Sequence, residues 1–258
     1  MTEANSQRVK STRAHETRVV IDAPMEDVWK ALTEPAAIAR WFAPKMTVEP
    51  GVGGSVLADW GPGLEWMTTI EVGEPNRHLR LAETRERVMT ASPDAQALEP
   101  CRLVQDYYLE AEGGKTVLRL VHSGFGTSEG WDIEYEGTRG GWAVCFLRLK
   151  HALELHRNHS AHNFIVLRLC PGVDKEEALA RMESAVPVPS EFLFRGDYQF
   201  CVLLPEHHGS IFSSSIQPCT GGSVTHVEFL LFGLSDAEAR AMENQWNEKL
   251  AQLFPAAG

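Results

Sequence analysis

The sequence predicts an α+β fold in two units: a curved antiparallel sheet closed by a long helix, then a smaller α+β unit of similar element order. Three observations predict it. Strand-like segments follow one another across Gly- and Pro-rich turns rather than across helices, which favours antiparallel pairing. One long amphipathic segment, about Gly140 to His156, comes after that run. The second half then repeats the order strand, helix, strands, long helix.

The first unit opens with ETRVVID (Glu16 to Asp22), whose alternation puts Val19 and Ile21 on one face of a strand. APMEDVWKAL follows. Pro24 suits a helix start, and Glu26 and Asp27 stand near the positive end of the helix dipole. Met25, Val28, Trp29 and Leu32 form one apolar stripe. Pro35 ends that helix and begins a second short one, with Ile38, Trp41 and Phe42 inward. KMTVEP, GSVLADW, LEWMTTIEVG and RHLRLAETRE then read as strands. CRLVQDYYLEA and KTVLRLVH are two more, joined as a hairpin through Glu112-Gly113-Gly114. MTASPDAQALEP, which precedes that hairpin, is expected to be an inserted surface loop. In the long helix Trp142, Phe146, Leu149 and Leu153 are spaced 4, 3 and 4 apart, one apolar stripe. Gly140 and Gly141 are expected to turn the chain into that helix. Phe125, Trp131 and Tyr135, in the stretch before it, are then expected to form a lid within a mobile 123–141 loop.

HRNHSAH reads as a polar linker, over 157–162. NFIVLRLC is a strand. VDKEEALARMESA is a helix with Asp174 as N-cap, Glu177 three residues on, and Leu179 and Met182 inward. EFLFRG, YQFCVLLP, SIFSSSIQP and SVTHVEFLLFGL are strands. LSDAEARAMENQWNEKLAQLF is a helix with a Ser235/Glu238 capping box. The expected organisation is a tail over 1–15, a first domain over 16–156, the linker, and a smaller domain over 163–256. The second half is either a shortened tandem copy of the first or an unrelated α+β extension.

Composition excludes several classes. Net charge is −11 across 258 residues, with the acids spread along the chain. This favours solubility and counts against nucleic-acid and anionic-membrane partners. No apolar run approaches the roughly 20 residues of a membrane helix, and the N-terminus lacks the apolar core of a secretory signal. Five cysteines without a C-x-x-C pair read as reduced buried thiols of a cytoplasmic protein. The histidines His151, His156, His159 and His162 cluster, and His207 adjoins His208, but no H-E-x-x-H or supporting carboxylate spacing accompanies them. No metal and no cofactor is therefore expected. Walker A, dinucleotide and G-x-S-x-G patterns are absent.

The first half resembles the START-like (SRPBCC) superfamily, and within it the family named for the activator of the heat-shock protein 90 ATPase. The resemblance is carried by a strand, APMEDVWKALTEPAAIARWF, a Gly-Gly turn, TVLRLVHSGF and GGWAVCFLRLKHALE, in that order, from about Glu16 to His156. It implies a helix-grip fold, in which a curved antiparallel sheet wraps a long C-terminal helix and commonly encloses an apolar cavity. It also implies two further roles. One is a cochaperone-like, stress-response role; against it, only about 15 residues precede the START-like segment, where eukaryotic members carry an additional domain. The other is a cyclase-like enzyme, with His122 and Tyr107 as acid and base.

Alternation within strands indicates which residues would line such a cavity. From the strands these are Trp66, Thr68, Leu81, Gln105, Tyr107, Leu120, His122 and, at the strand end, Phe125; from the long helix, Trp142, Phe146 and Leu149. The set is apolar and aromatic with a few polar tips, the usual make-up of a ligand site. The same residues would equally fill a core, their polar tips satisfied internally. The leading expectation is a non-enzymatic module that binds a small hydrophobic or amphipathic molecule. Exposed edge strands are where two copies would pair as a homodimer.

Overall fold

The computed structural model describes residues 11–61, 63–89 and 96–256. The first sheet has seven strands: β1 (Arg13–Ile21), β2 (Lys45–Val48), β3 (Ser55–Asp59), β4 (Glu65–Glu74), β5 (His78–Arg87), β6 (Ala97–Glu112) and β7 (Lys115–Phe125). Helices α1 (Met25–Thr33) and α2 (Pro35–Ile38) lie between β1 and β2, and α3 (Asp132–Glu154) follows β7. The strands are antiparallel in the order β1-β7-β6-β5-β4-β3-β2. Returning β7 beside β1, with Val19 opposite Leu118, joins the two ends of this unit.

Alternation places Leu103, Gln105, Tyr107 and Leu109 of β6 and Leu118, Leu120 and His122 of β7 inward, all buried. Apart from Leu103, which lies in a separate small core, they share one core, or its immediate polar lining, with Trp142, Phe146 and Leu149 of α3. Removing side chains of this size from water stabilises by about 1.5–3 kcal/mol each, which fixes α3 on the sheet. Asp106, on the opposite face, is also buried: its carboxylate accepts from Arg80 Nε at 2.7 Å and lies 2.7 Å from His78 Nε2.

The second unit comprises β8 (Ala161–Pro171), α4 (Lys175–Ala185), β9 (Glu191–Arg195), β10 (Gln199–Leu204), β11 (Ser210–Cys219), β12 (Gly222–Phe232) and α5 (Asp236–Leu253). Its order is β8-β12-β11-β10-β9. The rule of the first sheet recurs: the first strand pairs with the last, and the others follow in reverse. The second unit is therefore a shorter version of the same topology. Asp174 caps α4 by accepting from the Glu177 amide, and Ser235 and Glu238 form a capping box on α5.

The two faces of the second sheet have different neighbours. Phe212, Val227 and Phe229 pack with Met182 of α4 and Trp246 of α5. Cys201, Ile211 and Leu230 point the other way and join the core that contains α3. Helix α3 thus lies between its own sheet and the outer face of the second.

Four local expectations change. Helix α3 begins at Asp132, so Gly140 and Gly141 lie inside it and not before it. A one-turn 3-10 helix over Glu129–Trp131 precedes it, and Phe125 and Trp131 are buried with Leu98 and Leu103 in a second small core. The Tyr135 hydroxyl donates to the Ala14 carbonyl at 3.0 Å. These three aromatics anchor the helix start and do not form a lid. Of the expected inserted loop, 90–95 lie outside the described residues, while Ala97–Pro100 already belong to β6. Residues 1–10 of the expected tail also lie outside them, and Arg13–His15 belong to β1.

Candidate functional site

A cavity of about 140 Å³ lies beside α3, where the helix meets the outer face of the second sheet. Sequence explains the space. Along α3, Glu134, Gly137, Thr138, Gly141, Cys145 and Arg148 recur at three- and four-residue intervals and line the cavity as one face. Two of these are glycines, and a Cβ built on Gly137 or Gly141 would meet nothing within 4 Å. Opposite stand the small side chains of Ser213 and Ser215. Glycine facing serine leaves a gap that larger residues would close.

The walls differ in chemistry. From the first unit come Phe42, Trp60, Trp66 and Met89, beside Trp142 of α3. Phe42 stacks on Trp142 with ring centroids 5.5 Å apart and planes at 8°, and Trp60 meets Phe42 edge-on at 5.0 Å. From the second unit come Gln199 of β10, Ser213, Ser215 and Gln217 of β11, and His226 and Glu228 of β12. Register explains this grouping: Ser213 is opposite Glu228 and Ser215 opposite His226, so all four share a face.

Buried ion pairs stand at two places on the lining. Arg148 is 1% exposed; it bonds Glu228 and donates to Asn163 Oδ1 at 2.7 Å. Glu134 bonds Arg85, accepts from the Met89 amide at 3.0 Å, and Arg85 also donates to Glu83 at 2.7 Å. Burial raises the Glu83 carboxyl above its ordinary range, against the opposing pull of Arg85. Burial also pushes the Cys145 thiol, on the cavity wall, up to about 12, so it is not a thiolate at neutral pH. His226 is lowered to about 4 by burial and is neutral at pH 7. Four lining residues retain buried polar atoms with no hydrogen-bond partner: Trp66 Nε1, Arg148 Nε, His226 Nε2 and Gln217 Oε1.

Of the residues that strand alternation marked for a ligand site, Trp66 and Trp142 line this cavity. Leu81, Tyr107, Leu120, Phe146 and Leu149 lie in the packed core between α3 and the first sheet. Thr68, Gln105 and His122 are buried on the inward face of that sheet, and Phe125 lies in the small second core. Within this group Trp142 Nε1 donates to His122 Nδ1 at 3.1 Å, and the Tyr107 hydroxyl donates to Gln105 Oε1 at 3.0 Å. An indole N–H can only donate, so neutral His122 carries its proton on Nε2. Burial, with His15 and Arg85 nearby, lowers His122 well below its ordinary value, while burial raises Tyr107 well above its own.

The second-unit wall was not found by that reasoning. Its signal was present in SIFSSSIQP, where polar residues occupy alternate positions that face no helix of their own unit. Among the described residues no three His, Cys, Asp or Glu side chains gather as a metal site, and no helix is long and apolar enough to cross a membrane.

Residues 22–154, just over half the chain, match the model of a family described as "Activator of Hsp90 ATPase homolog 1-like protein". No curated protein matches the chain. Among solved structures, the chain is similar to protein MLL2253 from Mesorhizobium loti, with 27% identity, 55% of this chain and 96% of that one covered, and a TM-score of 0.45. It is similar to the Aha1 dimer from Colwellia psychrerythraea at 20% identity, with 55% and 97% covered and a TM-score of 0.44. Over nearly its whole length it is similar to the di-domain ARO/CYC BexL from the BE-7585A biosynthetic pathway, at 13% identity, with 95% and 99% covered and a TM-score of 0.45. Likeness at this level says nothing of function.

Proposed function

The chain belongs to the Activator of Hsp90 ATPase homolog 1-like family, and from that premise we propose that it is a non-enzymatic binding module for a small amphipathic molecule. The molecule would lie beside α3, between the aromatic wall of the first unit and the polar wall of the second. One observation carries this reading: a cavity of about 140 Å³ whose apolar lining faces residues with unpartnered buried polar atoms. Apolar surface with a few converging polar groups is the usual composition of a ligand site. The region expected from strand alternation, directly between α3 and the first sheet, holds a close-packed core.

An enzyme built on His122 and Tyr107 has less support. Neither residue lines the cavity, and burial moves each away from proton exchange near neutral pH. Native mass spectrometry of the protein purified from its own host tests the binding reading. A non-covalent adduct of defined mass is expected. Protein found only without an adduct, together with failure of small probes to bind, would remove the reading.

A further inference from the structure

We infer that the site takes a neutral, single-ring aromatic molecule bearing a hydroxyl group, with phenol as the simplest representative. This rests on the binding reading above and adds the chemical class of the ligand.

Size limits the ligand to one ring. A cavity of roughly 150 Å³ is enough to hold benzene, whereas sites for larger ligands run from roughly 300 to 1,000 Å³. At about 140 Å³ the space suits one six-membered ring and is small for a fused system. The aromatic wall, where Phe42 and Trp142 are nearly parallel and Trp66 is tilted 50° and 54° to them, offers a ring both faces and edges.

Polarity selects a hydroxyl. Arg148 Nε and Trp66 Nε1 can only donate, and Gln217 Oε1 can only accept; all three lack partners. A hydroxyl does both, so it can accept from an unpaired donor or donate to the Gln217 oxygen. A hydrocarbon would leave all of them unpaired.

Charge selects a neutral molecule. Arg148 is already bonded to Glu228, and Glu134 to Arg85. A carboxylate ligand would meet two acidic side chains, and the charge of the lining arginine, Arg148, is already balanced by Glu228. A cationic ligand would have to lose its water to reach two carboxylates that are already paired.

Isothermal titration calorimetry of the full chain with phenol, toluene and benzoate tests this. Phenol is expected to bind at least tenfold more tightly than toluene, and benzoate more weakly than either. Gly141→Leu, which places an isobutyl group in the open space, should abolish phenol binding while retaining the wild-type circular dichroism spectrum. Should that variant fail to fold, Gln217→Leu provides a second reading: phenol affinity falls and the phenol-to-toluene ratio drops toward one. Toluene binding as tightly as phenol, or benzoate more tightly, would overturn the class and leave the binding reading standing. A larger adduct from the host with no binding of any probe would do the same. No probe binding and no adduct would remove both.

Discussion

The side chain of Gln199 occupies the place that a Cβ on Gly140 would need: its Nε2 stands 1.7 Å from that position. Strand β10 of the second unit thereby approaches α3 of the first closely at a glycine. Gly141, the next residue, has open space at the same point. Glycine inside a helix costs roughly 0.5–1 kcal/mol relative to alanine, so the two positions should respond oppositely. Gly141→Ala is expected to raise stability by about that amount. Gly140→Ala must push aside the buried end of the flexible Gln199 side chain, and overpacking costs up to about 1–3 kcal/mol, so the helix gain is expected to be cancelled or exceeded. Thermal unfolding of the two variants, with Gly140→Ala/Gln199→Ala as the relieved pair, measures the contrast. Equal effects of the two single changes would show that Gln199 moves aside freely.

Arg148 ties α3 to the second sheet through Glu228 and Asn163. Breaking one side of a buried pair strands the other charge and costs about 3–5 kcal/mol, toward the lower end here because Glu228 remains 24% exposed. Arg148→Met should therefore destabilise by about 3 kcal/mol, and Arg148→Met/Glu228→Gln should recover most of it. Urea unfolding checks this. A double variant no more stable than the single would mean that the pair's surroundings, not the stranded carboxylate, set the cost.

Acid should weaken the fold through its buried histidines. His226 is lowered to about 4 by burial, and His15 to about 4 by burial and by Arg139. Unfolded histidine takes its proton near 6.5. Between about pH 6.5 and 4 the unfolded chain therefore holds protons that the folded chain does not. Stability rises with pH across this window, falls on acidification through it, and levels off below about pH 4. A difference of 2.5 pH units corresponds to about 3 kcal/mol per histidine. His226→Gln should remove one histidine's share of the slope in a plot of Tm against pH from 7 to 4. An unchanged slope would assign the acid sensitivity elsewhere.

Trp142 belongs both to the core and to the cavity wall, and its indole N–H donates to His122 Nδ1 at 3.1 Å. Trp142→Phe keeps a ring but leaves the buried nitrogen without its donor. A loss of about 2–4 kcal/mol is expected, combining the unpaired acceptor with lost volume. His122→Phe in the same background should return part of it, because the stranded acceptor is gone. Thermal melts of the three variants make the comparison. No recovery in the double variant would leave lost volume as the whole effect.

Much of the fold was legible because it is written locally. Alternation marked Leu103, Tyr107, Leu118 and Leu120 as inward, and the Ser235/Glu238 and Asp174/Glu177 pairs marked two helix starts. The first turns of α3 were not legible. Glycine at 137, 140 and 141 lowers helix propensity; tertiary contacts support a helix there, among them Glu134 bonding Arg85, the Tyr135 hydroxyl reaching Ala14 and Gln199 lying against Gly140. The cavity was hidden for the same reason. It is formed by residues that range in the chain from Phe42 to Glu228, and strand alternation assigns a face without naming what will cover it. The serines of β11 that face away from their own unit's helices line a space only because α3 lies over them.

The central claim, that the space between α3 and the second sheet receives a ligand, is tested most directly by the tryptophans. Seven are spread through the chain, so their indole N–H signals in a nitrogen-proton correlation spectrum report on separate regions. Titration with phenol and with toluene should move the signals of Trp60, Trp66 and Trp142, which line the cavity. Trp131 and Trp246, buried in other clusters, should stay in place. Shifts confined to Trp246, or saturable binding with Trp66 and Trp142 unmoved, would contradict the account.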